Sequence, residues 1–147
     1  MNDKPIGSQI HQTANCIDTF IASYLAKEIH SPLTPMECHT LRFFYDKVGE
    51  ELCAKDLMQY TCLSKATTSI TLSSLEKKKL IEVRIDPNDK RKKFIMVTDE
   101  GKRMKQDMDK ALDEITKIVE NGLSLADKET ISRLLKKIRD NASIRNY

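Results

Sequence analysis

"LSKATTSITLSSLEKKKLIEVRIDPNDKRKKFIMVTDEG", residues 63–101, holds the elements whose order decides the fold. Ser64 is a good N-cap, and a helix is expected over about 64–78. Thr68, Leu72 and Leu75 share one face by their i, i+4, i+7 spacing. Lys65, Thr67, Ser69, Ser73, Ser74 and Lys77 populate the other faces. Ile81, Val83 and Ile85 alternate with Glu82 and Arg84, as in a half-buried strand. Phe94 to Val97 reads as the returning strand. The intervening "DPNDKRKK" carries Asp-Pro and Asn-Asp turn chemistry. The stretch is therefore a helix followed by a long hairpin with a basic tip.

Upstream of it, a short helix is expected from Ala54 to Tyr60, burying Leu57 and Met58, with Thr61-Cys62-Leu63 as the turn. Two short helices joined by a tight turn, the second rich in small polar side chains, form a helix-turn-helix pattern. Further back, residues 8–30 read as a helix with Ile10, Ala14, Ile17, Ile21, Tyr24 and Leu25 at steps of three and four, stopped by Ser31-Pro32. Thr34, Pro35 and Glu37 then make an N-cap, a first helical position and a capping box. Leu41, Phe44, Tyr45 and Val48 give that helix its apolar stripe, and Gly49 its stop. Downstream, Thr98 caps a long helix, with Asp99 and Glu100 at its positive end. Its stripe runs through Met104, Met108, Ala111, Leu112, Ile115, Ile118 and Val119 to a stop at Gly122. Ser124 and Asp127 open a last helix with Ile131, Leu134, Leu135 and Ile138 on one face. The order is helix, helix, helix-turn-helix, basic hairpin, long helix, helix. The expected fold is mainly α with a small β-hairpin wing, a winged helix-turn-helix.

The charge is placed unevenly. The 147 residues carry a net charge of only +3. Between Lys77 and Lys93, however, eight basic residues face three acidic ones, so the remainder is slightly acidic and the positive field is local. Charged residues at 32% and hydrophobic ones at 39% are those of a folded domain, and aromatics at 5% without Trp require an aliphatic core. The expected location is cytoplasmic, with reduced thiols. The N-terminus has no apolar signal core, no run approaches a membrane span, and the four cysteines lack CxxC or zinc spacing.

A helix in the major groove leaves an adjacent hairpin free to reach the backbone or minor groove. A basic tip there neutralises phosphates and inserts Arg into a narrow groove, while small polar side chains on the helix approach base edges. Double-stranded DNA is the expected partner.

These residues resemble the MarR family of bacterial transcription regulators. The likeness rests on the helix beginning at Ser64, on Asp86-Pro87-Asn88-Asp89-Lys90-Arg91 as a "D-P-x-D-x-R" wing, and on Val97-Thr98-Asp99-Glu100-Gly101 as an "L-T-x-x-G" helix entry. The resemblance implies an obligate homodimer, with residues 1–33 and 99–147 as dimerisation helices and 34–98 as the DNA-binding domain. It implies two winged helices on a pseudo-palindromic site with half-sites roughly 34–36 Å apart. It makes Arg91 the minor-groove arginine, oriented by Asp89 and flanked by Lys90 and Lys92, and gives Ser64, Lys65, Thr67, Ser69, Ser73 and Lys77 to the recognition helix. Three positions depart from the family's pattern. Ile70 stands where many members have Arg, which removes a guanine- or phosphate-binding group and leaves thymine-methyl contact in its place. Lys79 stands where a glycine often ends the helix, at a strain on the order of 1 kcal/mol if left-handed. Cys53 stands where Ser or Thr commonly caps the preceding helix.

The family's usual mode is release by a small-molecule effector, for which Tyr24, His39, Arg42 and Phe43 are cleft candidates. Equally, they can be ordinary packing. One branch senses hydroperoxides with a thiol near the place of Cys16, although "TANCIDTF" supplies no cation to lower its pKa. Cys38-His39 with His11 and His30 is too irregular for a metal site, and no metal or cofactor is expected. Cys62 is expected to be packed in its turn. No phosphate loop, dinucleotide fingerprint or catalytic triad is present, so an enzyme is not expected. The competing readings are a nonspecific architectural DNA binder and a winged-helix protein-interaction module.

Overall fold

The computed structural model describes residues 4–29 and 33–143. The elements are α1 (Ile6–Glu28), α2 (Pro35–Asp46), α3 (Ala54–Thr61), α4 (Lys65–Lys77), β1 (Ile81–Ile85), β2 (Lys93–Val97), α5 (Asp99–Val119) and α6 (Leu125–Ser143). The expected order is reproduced, with helix ends displaced by one or two residues. His30, Ser31 and Pro32 lie outside the described residues. The chain divides into two compact units, Met1–Ile115 and Thr116–Tyr147. No described helix is long and apolar enough to cross a membrane.

In the first unit the periodic apolar positions converge on one core. Leu25, Leu41, Leu57, Leu75, Ile81 and Met108, one from each of six elements, are almost fully buried there. α2 starts with the expected capping box. The Thr34 hydroxyl accepts from the Glu37 N–H at 3.2 Å, and the Glu37 carboxylate accepts from the Thr34 N–H at 2.7 Å. Glu37 does more than cap. It is buried, and it also accepts from Ser74 Oγ at 2.6 Å and from Lys78 Nζ at 2.7 Å. One carboxylate thus fastens the start of α2 to the last turn of α4. Burial by itself would raise its pKa. The bonds from Lys78, Ser74 and the Thr34 backbone, with the Lys78 charge, outweigh this and hold it below the ordinary value.

α4 ends in a Schellman motif built without glycine. Lys79 is left-handed at φ 60°, with the Leu80 N–H on the Leu75 carbonyl at 3.0 Å and the Lys79 N–H on the Glu76 carbonyl at 2.9 Å. The hairpin follows at once, with Ile81 opposite Val97, Val83 opposite Ile95 and Ile85 opposite Lys93. Leu52 adds a bridge to Ile95 on the other edge of β2. Thr98 then closes the joint. Its N–H donates to the Leu80 carbonyl at 3.1 Å and its hydroxyl to the Lys79 carbonyl at 2.6 Å, while accepting from the Gly101 N–H at 3.1 Å. Gly101 is needed for space. A Cβ there would stand 2.2 Å from the Leu80 carbonyl oxygen and 2.7 Å from Val97 Cγ1. Its own carbonyl accepts from the Tyr45 hydroxyl at 2.5 Å, tying α2 to the same point.

Several expectations are corrected. Val48 is 80% exposed, because α2 stops at Asp46 and Val48 falls in the turn beyond its stripe. Ile85 is 57% exposed, because β1 leaves the core toward the wing tip. Ala14 is exposed and Ile10 half-buried, so the core begins at Ile17 and α1 buries only Ile21 and Leu25. Met58 is half-buried rather than buried. Cys62 is exposed, not packed, and left-handed at φ 56° where the chain turns between α3 and α4.

The second unit holds the end of α5 and α6. The Ser124 hydroxyl and Asp127 carboxylate cap α6 reciprocally, as expected, and Lys128 pairs with Glu120. None of the described residues of α6 is buried, and its expected face of Ile131, Leu134, Leu135 and Ile138 is exposed. Ile118 and Val119, in the last turn of α5, are exposed too.

Two substitutions test these joints. Glu37→Ala should destabilise by on the order of 2–4 kcal/mol at neutral pH, since it strips partners from Lys78, Ser74 and the Thr34 N–H. Because the folded pKa is depressed, the contribution is present above the ordinary carboxylate value and lost as pH falls through the folded one. Urea titrations should show the gap to wild type closing below about pH 4.5; a gap unchanged in acid contradicts this role. Gly101→Ala should cost about 1–3 kcal/mol in thermal unfolding, since backbone must move to admit the methyl.

Candidate nucleic-acid interface

α4 buries Thr68, Thr71, Leu72 and Leu75. Thr71 was not among the expected inward positions. Both threonines satisfy their hydroxyls locally, Thr68 on the Ser64 carbonyl at 2.9 Å and Thr71 on the Thr67 carbonyl at 3.0 Å, so polar side chains enter the core without an unpaired donor. At 3.6 residues per turn the crest opposite this face holds Ala66, Ile70, Ser73 and Lys77, all exposed. Lys65 and Ser69 lie on the flank toward the hairpin. Ser64 and Thr67 lie at the N-terminal end. The Ser64 oxygen accepts from the Thr67 N–H at 3.1 Å and lies 2.9 Å from the Thr67 hydroxyl, so both hydroxyls also serve the cap.

The hairpin tip is held by its two aspartates. Asp86 accepts from the Asn88 N–H at 2.8 Å, and the Asp86 N–H returns to the Lys92 carbonyl at 3.0 Å. One Asp89 carboxylate oxygen accepts from the Arg91 N–H at 3.0 Å and from Arg91 Nε at 3.2 Å. That contact engages one of the five N–H donors of a guanidinium. The Arg91 side chain is 92% exposed, so the pair orients it more than it stabilises the fold. Lys90, Lys92 and Lys93 are exposed beside it.

An open groove of about 840 Å³ runs between α3, α4 and the hairpin. Lys65, Ser69 and Ser73 line one wall, Arg91 and Lys92 the other. The structure thereby gathers five of the expected contacts around one space. Ser64, Thr67, Lys77, Asp89 and Lys90 lie outside that lining. Lys55 and Lys93 border it and were not expected; Lys55 carries no local signal, being an ordinary solvent lysine of α3 until the chain folds. Glu51 and Glu76 also border it and weaken the positive field there.

The effector candidates do not share one space. Tyr24 edges a small cavity of about 270 Å³ with Glu28, Asp107 and Lys110. His39 and Arg42 are exposed on α2, with Arg42 Nε 3.8 Å from Asp46. Phe43 is 3% exposed, its ring packed on Phe44 and Tyr60. A cavity of about 690 Å³, not foreseen, lies between the end of α2, the loop after it, the hairpin base and the start of α5. Of the thiols, Cys16 is exposed, whereas Cys38 is buried and pushed up to about 12 by burial and by the Glu37 charge, which makes it a poor nucleophile. Among the described residues no three metal-binding side chains come together.

A helix-turn-helix with an exposed polar and basic second helix, flanked by a basic hairpin, defines a winged-helix DNA-binding protein. Residues 31–92, the winged region itself, match the model of the MarR family of transcription regulators. The fold extends the likeness over the whole chain. S. aureus MepR in its complex with DNA superposes with a TM-score of 0.82 at 22% identity, covering 97% of this chain and 99% of that one. A MarR/EmrR family transcriptional regulator from Acinetobacter sp. ADP1 gives 0.83 at 23%, covering 95% of each. BpsR of Bordetella bronchiseptica, whose DNA binding is regulated by 6-hydroxynicotinic acid, gives 0.80 at 23%, covering 95% and 96%. A comparison with curated proteins found no match. Regulators of this family are generally not enzymes.

Proposed function

We propose that this protein is a sequence-specific transcriptional repressor that binds a pseudo-palindromic operator as a homodimer. The observation that carries the reading is the single groove bordered by Lys65, Ser69 and Ser73 of α4 and by Arg91 and Lys92 of the wing. A duplex seated there meets donors for base edges on one side and cations for phosphates on the other. Ser64, Thr67 and Lys77 extend the contact along α4. Lys90 adds charge at the tip, and Asp89 aims Arg91 at the minor groove.

The homodimer is supported by the second unit, where α6 presents Ile131, Leu134, Leu135 and Ile138 to solvent without burying any of its described residues. Apolar surface of that extent is normally covered by a partner. Residues 1–33 and 99–147 are the proposed dimerisation segments. Release by a small molecule is favoured by the likeness to BpsR. Thiol sensing has less support. Cys16 is exposed, but no Lys or Arg occurs between residues 5 and 26 of the chain.

Selection of bound sites from a random duplex pool, under reducing conditions and near physiological salt, tests the reading. An inverted repeat with one-turn half-site spacing is expected. Binding without enrichment would instead make this an architectural DNA binder, and no binding a protein-interaction module. On the recovered site, Arg91→Ala should lower affinity roughly tenfold and reduce the slope of log K against log salt by about one. An affinity within a factor of two of wild type removes the wing from the contact.

A further inference from the structure

Ile70 is 71% exposed on the crest of α4, one turn beyond exposed Ala66. Its exposed neighbours on the helix are Ala66, Ser69, Ser73 and Lys77. A β-branched apolar side chain at that point contributes nothing to the core, which lies on the opposite face, and is a poorer helix former than Ala, Lys, Glu or Gln. Ile70 neither donates nor accepts, so it cannot read a hydrogen-bonding edge. Lys77 on the same crest, Lys65 on the flank and the wing cations draw a phosphate backbone toward α4, and close approach then buries the isoleucine against the floor of the major groove. The one apolar group a base pair offers there is the C5-methyl of thymine.

We infer that Ile70 is a specificity-determining residue that selects thymine through its methyl group, with Ala66 as a second, shallower apolar contact. The inference rests on the DNA-binding reading above and deepens it. The chemistry gives discrimination in both directions. Thymine adds apolar burial, whereas guanine or cytosine at the same step would hold a polar group against a hydrocarbon that displaces its water.

The test uses the full-length protein and the duplex recovered by selection, resynthesised with deoxyuridine in place of one thymine at a time. This exchange removes a methyl and leaves every hydrogen-bonding group in place. At one position in each half-site the wild-type protein should lose about fourfold in affinity, the worth of one buried methyl. Ile70→Ala should bind the thymine duplex more weakly by a similar factor and be indifferent to uracil at that position. Because Ile70 is exposed and alanine favours helix, the variant should match wild type in circular dichroism and melting. Uracil tolerated at every position of the half-site, a half-site without thymine, or an Ile70→Ala variant with undiminished uracil sensitivity would each overturn the inference. Any of these would still leave the sequence-specific regulator intact. If selection enriches nothing, the functional reading fails first and this inference falls with it.

Discussion

The geometry of the proposed DNA-binding face depends on the close approach of α5 to the Leu80 carbonyl. That carbonyl accepts from the Thr98 N–H at 3.1 Å and lies where only a hydrogen on Gly101 leaves room for it. The recognition helix ends, the hairpin begins and α5 starts within this one knot. The Tyr45 hydroxyl on the Gly101 carbonyl brings α2 into it as well. A rigid knot is what a two-part reader requires. In the proposed complex helix and wing meet different grooves of one duplex, so small errors in their relative position would be lost contacts in one of them.

Electrostatics is divided by burial. Glu37, sealed against Lys78 and Ser74, spends its charge inside the fold, and there the low dielectric makes a hydrogen-bonded pair costly to break. The wing cations are exposed, so they add little stability and stay available to phosphate. Lys77 and Lys78, adjacent in sequence, fall on opposite sides of this division. One is exposed on the crest, the other is half-buried against Glu37.

Lys79 and Cys62 show a related compromise. Both are left-handed residues without being glycine, one on each side of the recognition helix. Each stores strain on the order of 1 kcal/mol that the surrounding hydrogen bonds must offset. At Lys79 the offset is visible, in the two Schellman bonds and in the Thr98 hydroxyl on its carbonyl.

The sequence by itself determined the order and type of the elements, the caps at Thr34, Ser64, Thr98 and Ser124 and the basic hairpin with its aspartate turn. Each of these signals acts within a few residues, through periodicity, capping or turn chemistry, so no partner from afar is needed to read it. Only the tertiary structure decided that Glu37 would serve α4 as well as its own cap, that Gly101 is required for space, and that Val48, Ile85 and Cys62 would face solvent. It also decided that α4 would present Ile70 to solvent, and that Tyr24 and Phe43 would not meet in one cleft. These outcomes depend on which faces are covered by chain distant in sequence, and a pattern of spacing carries no record of what will stand opposite.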